Sequence, residues 1–158
     1  MTSVLGIIGF PIGHSISPVF QQAALDHCGI DATYRAWEVS PDQAGDFVTG
    51  LRRAEVLGIN VTVPHKEGVI PYLDEVDDWA AEAGAVNTIV NREGRLIGHN
   101  TDGYGFLRAL REGGGFQPQG RRVLILGAGG AARGVVLALV REGISRLLVA
   151  NRTLPRAE

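Results

Sequence analysis

The most constraining feature of this 158-residue sequence is a short strand-like run that ends in a dense glycine cluster. Residues 122–126 have the apolar character of a buried strand, and Gly127 and Gly129 follow directly. Residues 131–142 then show helical spacing up to Gly143, and a second apolar run follows at residues 146–150. A strand, a tight turn, a helix and another strand form a β-α-β unit with parallel strands. The pattern predicts an α/β fold.

The glycine cluster also has the spacing G-x-G-x-x-(G/A), met by Gly127, Gly129 and Ala132. Such a segment can be a plain strand-to-helix turn. Between a predicted strand and a predicted helix, however, it is typical of dinucleotide binding, because the helix start offers N–H groups to a pyrophosphate. The next strand ends at Asn151-Arg152-Thr153, where an NAD site usually carries a carboxylate. Arg152 can instead pair with a 2′-phosphate, so the sequence favours NADP.

The chain before the glycine cluster alternates between strand and helix patterns. It predicts an open mixed sheet that binds the substrate in residues 1–101, and a linker helix with an incomplete Rossmann dinucleotide-binding domain in residues 102–158. A parallel sheet is normally covered on both faces, so either the chain is a fragment or a second copy completes it as a homodimer. The predicted strands are Val4–Gly9, Thr33–Val39, Gly58–Val63 and a hairpin of Val86–Asn91 with Arg95–His99; the predicted helices are Ser17–Cys28, Gln43–Arg53, Asp74–Ala83 and Asp102–Arg111.

Composition and charge exclude several classes of partner. The formal net charge is −2 and no basic run occurs, which argues against nucleic acid and anionic membrane surfaces. No apolar stretch reaches the length of a membrane span. The one cysteine, Cys28, cannot form an internal disulfide and fits a reducing cytoplasm. Lys66 is the only lysine in the sequence, and an amine can lose its proton near neutrality whereas a guanidinium cannot.

Small polar residues gather at the ends of the predicted strands. Each has an ordinary explanation: Ser17 and Asp102 can be helix N-caps, and Asn87 and Asn100 can be turn residues. Together they describe a cleft with hydroxyl and amide groups, suited to a polyhydroxylated anionic small molecule, in which Lys66 and Asp102 would transfer a proton. The candidate residues are Ser15, Ser17, Asn60, Thr62, Lys66, Asn87 and Asp102.

Taken together, six motifs resemble the shikimate/quinate dehydrogenase family. In chain order they are His14-Ser15-Ile16-Ser17-Pro18, Asn60-Val61-Thr62-Val63-Pro64-His65-Lys66, Gly84-Ala85-Val86-Asn87-Thr88, Asn100-Thr101-Asp102-Gly103, Gly127-Ala128-Gly129-Gly130-Ala131-Ala132-Arg133-Gly134 and Asn151-Arg152-Thr153. The resemblance implies NADPH-dependent, reversible reduction of 3-dehydroshikimate to shikimate, a step of aromatic amino-acid biosynthesis.

The resemblance also implies roles for individual residues. Ser15 and Ser17 match positions that bind the substrate carboxylate, and Lys66 matches the catalytic lysine, paired with Asp102. The positions matching those that bind ring hydroxyls are Asn60, Thr62, Asn87 and Asp102, and those matching cofactor contacts are Gly127, Ala128, Gly129, Gly130, Ala131, Asn151, Arg152, Thr153, Arg156 and Asp78.

Family members extend well past Glu158, so the resemblance describes a chain truncated at its C-terminus that is expected to have little activity alone. Three alternatives stay open: a quinate/shikimate dehydrogenase that accepts NAD, a binding module without turnover, and another oxidoreductase with the same nucleotide fold. No metal site is predicted.

Overall fold

The computed structural model describes residues 3–157, which form two compact units. The first unit contains the chain up to Asp77 together with Val86–His99, and the second contains Asp78–Ala85 and the chain from Asn100 onward. Across the described residues, no helix combines the length and apolar character needed to cross a bilayer.

The first unit is built on a six-stranded mixed sheet, which confirms the predicted open α/β architecture. The strand order is β2-β1-β3-β5-β6-β4. Strand β1 runs parallel to β2 and β3, whereas β5 is antiparallel to β3 and β6. The elements are β1 (Ser3–Gly9), α1 (Ser17–His27), β2 (Ala32–Glu38), α2 (Ala44–Thr49), β3 (Val56–Val61), β4 (Glu75–Val76), β5 (Thr88–Arg92) and β6 (Arg95–His99), with 3₁₀ turns at Pro41–Gln43, Gly50–Arg52 and Ile70–Tyr72.

The carboxyl ends of β1 and β3 lie side by side and carry two loops that hold candidate site residues. Ile8 pairs with Val61, and the loops after these strands hold Ser15 and Lys66. A Cβ at Gly9 would lie 2.7 Å from side-chain atoms of both Ile12 and Thr62. A side chain at position 9 would have to displace the side chains of Ile12 and Thr62, so glycine suits the close approach of the two loops here.

Two predicted helices of the first unit differ from the structure. The predicted helix Gln43–Arg53 contains regular α-helix only at Ala44–Thr49, with 3₁₀ turns on both sides. The helix predicted at Asp74–Ala83 begins only at Asp78. The residues before it form the edge strand β4, and the N–H groups of Asp74 and Asp77 donate to the carbonyls of Leu96 and Gly98 on β6. Pairing with a neighbouring strand outweighs the weak helical pattern of this polar segment.

The second unit contains a parallel β7–β8 pair and three helices. Its elements are α3 (Asp78–Ala83), α4 (Asp102–Glu112), β7 (Arg122–Leu126), α5 (Gly130–Arg141), β8 (Arg146–Ala150) and a 3₁₀ turn at Leu154–Arg156. Both strands have the predicted bounds. On the strand pair, the side chains of Leu124, Leu126 and Leu148 are more than half exposed.

Residues 78–85 were predicted within the first domain, but they group with the second unit. The reason is packing on α5, where the Arg141 guanidinium lies 4.4 Å from the centre of the Trp79 ring and also pairs with Glu82. The functional division into a substrate domain and a cofactor domain stays a prediction.

Candidate active site

A chain of side-chain hydrogen bonds runs across the first unit and connects two predicted substrate-binding residues. The Tyr34 hydroxyl donates to Asn60 Oδ1 at 2.6 Å, and Asn60 Nδ2 donates to Thr88 Oγ1 at 3.3 Å. Thr88 Oγ1 donates in turn to Asn87 Oδ1 at 3.1 Å, and Asn87 is buried. We call these four residues the polar relay. It joins Asn60 to Asn87 and adds Tyr34, which sequence reasoning missed, and Thr88, which belongs to the Gly84–Thr88 motif but was not among the candidate site residues.

Lys66 is held close to the polar relay through its backbone. The Val86 N–H donates to the Lys66 carbonyl at 2.7 Å, and Asn87 is the next residue along the chain. On the other side of Lys66, His65 is only 3% exposed, and its Nε2 lies 2.7 Å from the Val39 carbonyl. The lysine therefore projects from a backbone segment anchored on two sides. The anchoring role of His65 was not predicted from the sequence.

Thr62 lies between the end of β3 and Lys66, two residues along the chain from Asn60. Its N–H donates to Ile8 of β1 at 2.9 Å, and its carbonyl accepts from the His65 N–H at 2.9 Å. Thr62 thus follows Asn60 at the carboxyl end of the strand and is half-buried. The structure brings Asn60, Thr62, Lys66 and Asn87 to one edge of one sheet.

The loop after β1 carries Ser15 and Ser17, and it is organised by local hydrogen bonds. The Ile12 N–H donates to Glu38 at 3.2 Å, and the Ser15 N–H donates to the Ile12 carbonyl at 2.9 Å. The prediction that Ser17 is the N-cap is wrong, since Ile16 holds that position and Ser17 is the first helical residue. The Ser17 N–H instead donates to Ser15 Oγ at 3.3 Å, so Ser15 satisfies part of the helix start.

Asp102 lies in the second unit, at the first residue of α4. It was expected to be an N-cap, but Thr101 is the N-cap. Asn100 explains the difference: its Oδ1 accepts the Asp102 N–H at 3.0 Å, while its Nδ2 donates to the Ala85 carbonyl at 2.8 Å. The Asp102 side chain is thus not needed to cap the helix. Its pairing with Lys66, which belongs to the first unit, stays a prediction.

The glycine loop of the second unit borders a cavity of about 220 Å³. Gly127 has φ of +111°, a conformation that suits glycine, and a Cβ at Gly127 or Gly129 would meet no heavy atom within 4 Å. The backbone there is therefore open to a ligand, as close approach to a pyrophosphate requires. Helix α5 begins at Gly130, directly after the loop. The described residues that line the cavity include Gly127, Ala128, Ala132, Arg133 and Arg156, with no carboxylate among them.

The turn after β8 has a defined shape, but the two arginines predicted to contact the cofactor are placed differently. Asn151 Nδ2 donates to the Thr153 carbonyl at 2.7 Å, which closes the turn around Arg152. Arg152 and Arg156 are both exposed, and of the two only Arg156 is among the described residues that line the cavity. Asp78 is exposed in the first turn of α3. The open glycine backbone and the arginine lining fit the adenosine half of NADP, while the contacts of Asp78 and Arg152 with a cofactor stay predictions.

Comparison with known proteins agrees with this geometry. A family model described as the shikimate dehydrogenase substrate binding domain matches residues 7–89, and one described as shikimate/quinate 5-dehydrogenase matches residues 111–158. The chain is 48% identical over its full length to a protein of Geobacillus kaustophilus named shikimate dehydrogenase (NADP(+)). It is 52% identical over 98% of its length to a protein of Symbiobacterium thermophilum with the same name.

A solved structure gives the same result. Shikimate 5-dehydrogenase from Thermus thermophilus, in complex with NADP(H) and shikimate, matches 98% of this chain at a TM-score of 0.89 and 41% identity. The chain spans 57% of the Geobacillus protein, 52% of the Symbiobacterium protein and 58% of the Thermus chain. Since the first family model alone covers more than half of its residues, the chain belongs to the shikimate dehydrogenase family.

Proposed function

We propose that this chain provides the substrate-binding edge and the adenosine-binding part of an enzyme that reversibly reduces 3-dehydroshikimate to shikimate with NADPH. The observation that carries the proposal is the hydrogen bond between the Val86 N–H and the Lys66 carbonyl. It anchors the sole lysine of the chain one residue from Asn87, at the end of the polar relay. An amine beside amide and hydroxyl groups is the arrangement that proton transfer to a polyhydroxylated substrate needs.

The substrate contacts follow from the chemistry of each group. Amide and hydroxyl side chains of Asn60, Thr62 and Asn87 suit ring hydroxyls, which donate and accept hydrogen bonds. The hydroxyls of Ser15 and Ser17 suit the carboxylate, since each can donate to one of its oxygens. The charge of Lys66 adds attraction for an anionic substrate.

The reaction divides between the cofactor and the protein. Bound NADPH supplies the hydride that reduces the C3 carbonyl carbon. During reduction Lys66 donates a proton to the C3 oxygen, and during oxidation of shikimate it takes that proton back. The proton balances the charge of the hydride in both directions. Asp102 would hold the Lys66 ammonium and bind the neighbouring hydroxyl. Because the described lining of the cavity by the glycine loop contains Arg156 and no carboxylate, we propose NADP rather than NAD. The single cysteine favours the reducing cytoplasm as the location.

The decisive variants are Lys66→Ala and Lys66→Arg, assayed in a protein extended to full length with the C-terminal part of the Geobacillus relative. Arginine keeps the positive charge but cannot give up its proton. Both variants should therefore lower kcat by about 10²–10⁴-fold, the usual contribution of one acid–base group. KM for shikimate should rise mainly in Lys66→Ala. Unchanged kcat with a raised KM in both variants would show that Lys66 only binds substrate.

A further inference from the structure

The polar relay has a direction, and the direction begins at Tyr34. Asn60 Oδ1 is occupied by the Tyr34 hydroxyl, so the other end of the amide, Nδ2, faces Thr88. The Thr88 oxygen accepts a hydrogen bond from Asn60 Nδ2, and the Thr88 hydroxyl donates one to Asn87 Oδ1. Each residue of the chain thus determines which atom the next one can present. An amide has a donor end and an acceptor end of nearly the same shape, so only such partners decide its orientation.

Tyr34 is well placed to impose this order. It is 7% exposed and packs with Ile7 and Ile12. Gln22 of α1 ties its backbone, since Gln22 Oε1 accepts the Tyr34 N–H at 2.8 Å and Gln22 Nε2 donates to the Ala32 carbonyl at 3.1 Å. Burial raises the pKa of Tyr34 to about 12. The hydroxyl therefore keeps its proton and remains a donor throughout the pH range in which the enzyme would be assayed.

We propose that Tyr34 is a positioning residue that sets the amide orientation of Asn60 directly and that of Asn87 through Thr88. Both amide oxygens then accept hydrogen bonds inside the relay. The Asn60 nitrogen carries two N–H groups and gives one of them to Thr88, so the second is left for a ligand oxygen to accept. At Asn60 the edge of the sheet is thereby set to donate an N–H group to a lone pair of a ligand oxygen, while at Asn87 the same chain of hydrogen bonds fixes the orientation of the amide. This inference rests on the proposed function, because it assigns Asn60 and Asn87 to substrate hydroxyls.

The first test measures shikimate binding to the 158-residue chain by isothermal titration calorimetry. Tyr34→Phe keeps the ring and removes only the hydroxyl, so Kd should rise about three- to tenfold, the range expected for one net hydrogen bond. Tyr72→Phe is the matched control, since it removes a hydroxyl elsewhere in the first unit, and its Kd should stay within about twofold. Thr88→Val removes the hydroxyl and should raise Kd as Tyr34→Phe does, whereas Thr88→Ser keeps the hydroxyl and should leave Kd close to the wild-type value. The Thr88 pair decides the matter if Tyr34→Phe does not fold.

The second test needs no ligand and reads the amides themselves. In ¹⁵N-labelled protein, Tyr34→Phe should shift the side-chain NH₂ signals of both Asn60 and Asn87, whereas Tyr72→Phe should shift neither. A shift confined to Asn60, or to neither residue, would overturn the relay. An unchanged Kd in both Tyr34→Phe and Thr88→Val would also overturn it. If the wild-type chain does not bind shikimate, the proposed function fails, and the NH₂ signals alone decide whether Tyr34 orders the two amides.

Discussion

The crossing of α4 and α5 in the second unit leaves no space for a side chain at Gly103. A Cβ there would lie 2.6 Å from the Gly134 carbonyl oxygen, 3.0 Å from the Ala138 Cβ and 3.0 Å from Trp79 Cζ2. Two of these neighbours are a backbone atom and a Cβ, which cannot rotate away. Gly103→Ala must therefore push the helices apart. Overpacking of this kind costs about 1–3 kcal/mol.

The net effect can be worked out from the same helix. Contact with backbone places the overpacking at Gly103 near the upper end of its range, about 3 kcal/mol. Alanine regains about 1 kcal/mol of helix propensity over glycine, so Gly103→Ala should lower the free energy of unfolding by about 2 kcal/mol. Gly105, two residues further along α4, is the matched control, because a Cβ there would meet nothing within 4 Å. Gly105→Ala should raise the free energy of unfolding by about 1 kcal/mol.

The assay is urea unfolding followed by the fluorescence of Trp79, in a Trp37→Phe background so that only the second unit is observed. The transition midpoint should move in opposite directions for the two variants while the slope m stays unchanged. Equal midpoints for Gly103→Ala and Gly105→Ala would refute the claim that close packing, rather than helix propensity, explains glycine at position 103.

Two further predictions concern charges. Adenosine 2′,5′-bisphosphate should bind the chain about tenfold or more tightly than 5′-AMP, because the 2′-phosphate adds a charge-assisted contact, and Arg152→Asp should erase that preference. Calorimetry that shows equal affinities for the two nucleotides in the wild type would contradict the 2′-phosphate assignment. Hydrogen bonds from the Arg52 guanidinium and the Leu96 N–H hold the pKa of Asp74 below its ordinary value. The ionised carboxylate therefore stabilises the fold fully above pH about 4, and this stabilisation is lost as the pH falls through the lowered pKa. Urea unfolding at several pH values should therefore find Asp74→Asn less stable than the wild type at pH 7, with the gap closing in acid; a gap that does not change with pH would contradict this.

Local signals in the sequence were sufficient for the parts of the fold that depend on local physics. The β-α-β unit shows this best, because an apolar run, a glycine turn and a helical pattern lie in immediate succession, and the bounds of β7 and β8 agree with the prediction. The family motifs likewise contain Asn60, Lys66 and Asn87, which the structure brings to one edge of the sheet. Helix starts were less predictable, because Ser15 and Asn100, not the expected caps Ser17 and Asp102, bind the first N–H groups.

The remaining features depend on strand order and on packing between distant segments. Tyr34 lies on β2 and Asn60 lies on β3, and β1 is the strand between them. The Tyr34 side chain reaches across β1 to Asn60 because both side chains lie on the same face of the sheet. No local pattern encodes that arrangement. The grouping of residues 78–85 with the second unit is similar, since it depends on contacts of Trp79 and Glu82 with Arg141, about sixty residues along the chain.

The central claim is that the first unit binds shikimate at the edge formed by Asn60, Thr62, Lys66 and Asn87. Titration of ¹⁵N-labelled protein with shikimate tests it most directly, through the changes in backbone and side-chain amide signals. The account predicts saturable changes that are largest at residues 60–66 and 86–88 and around Ser15. The absence of saturable changes, or changes centred on another surface of the first unit, would contradict it.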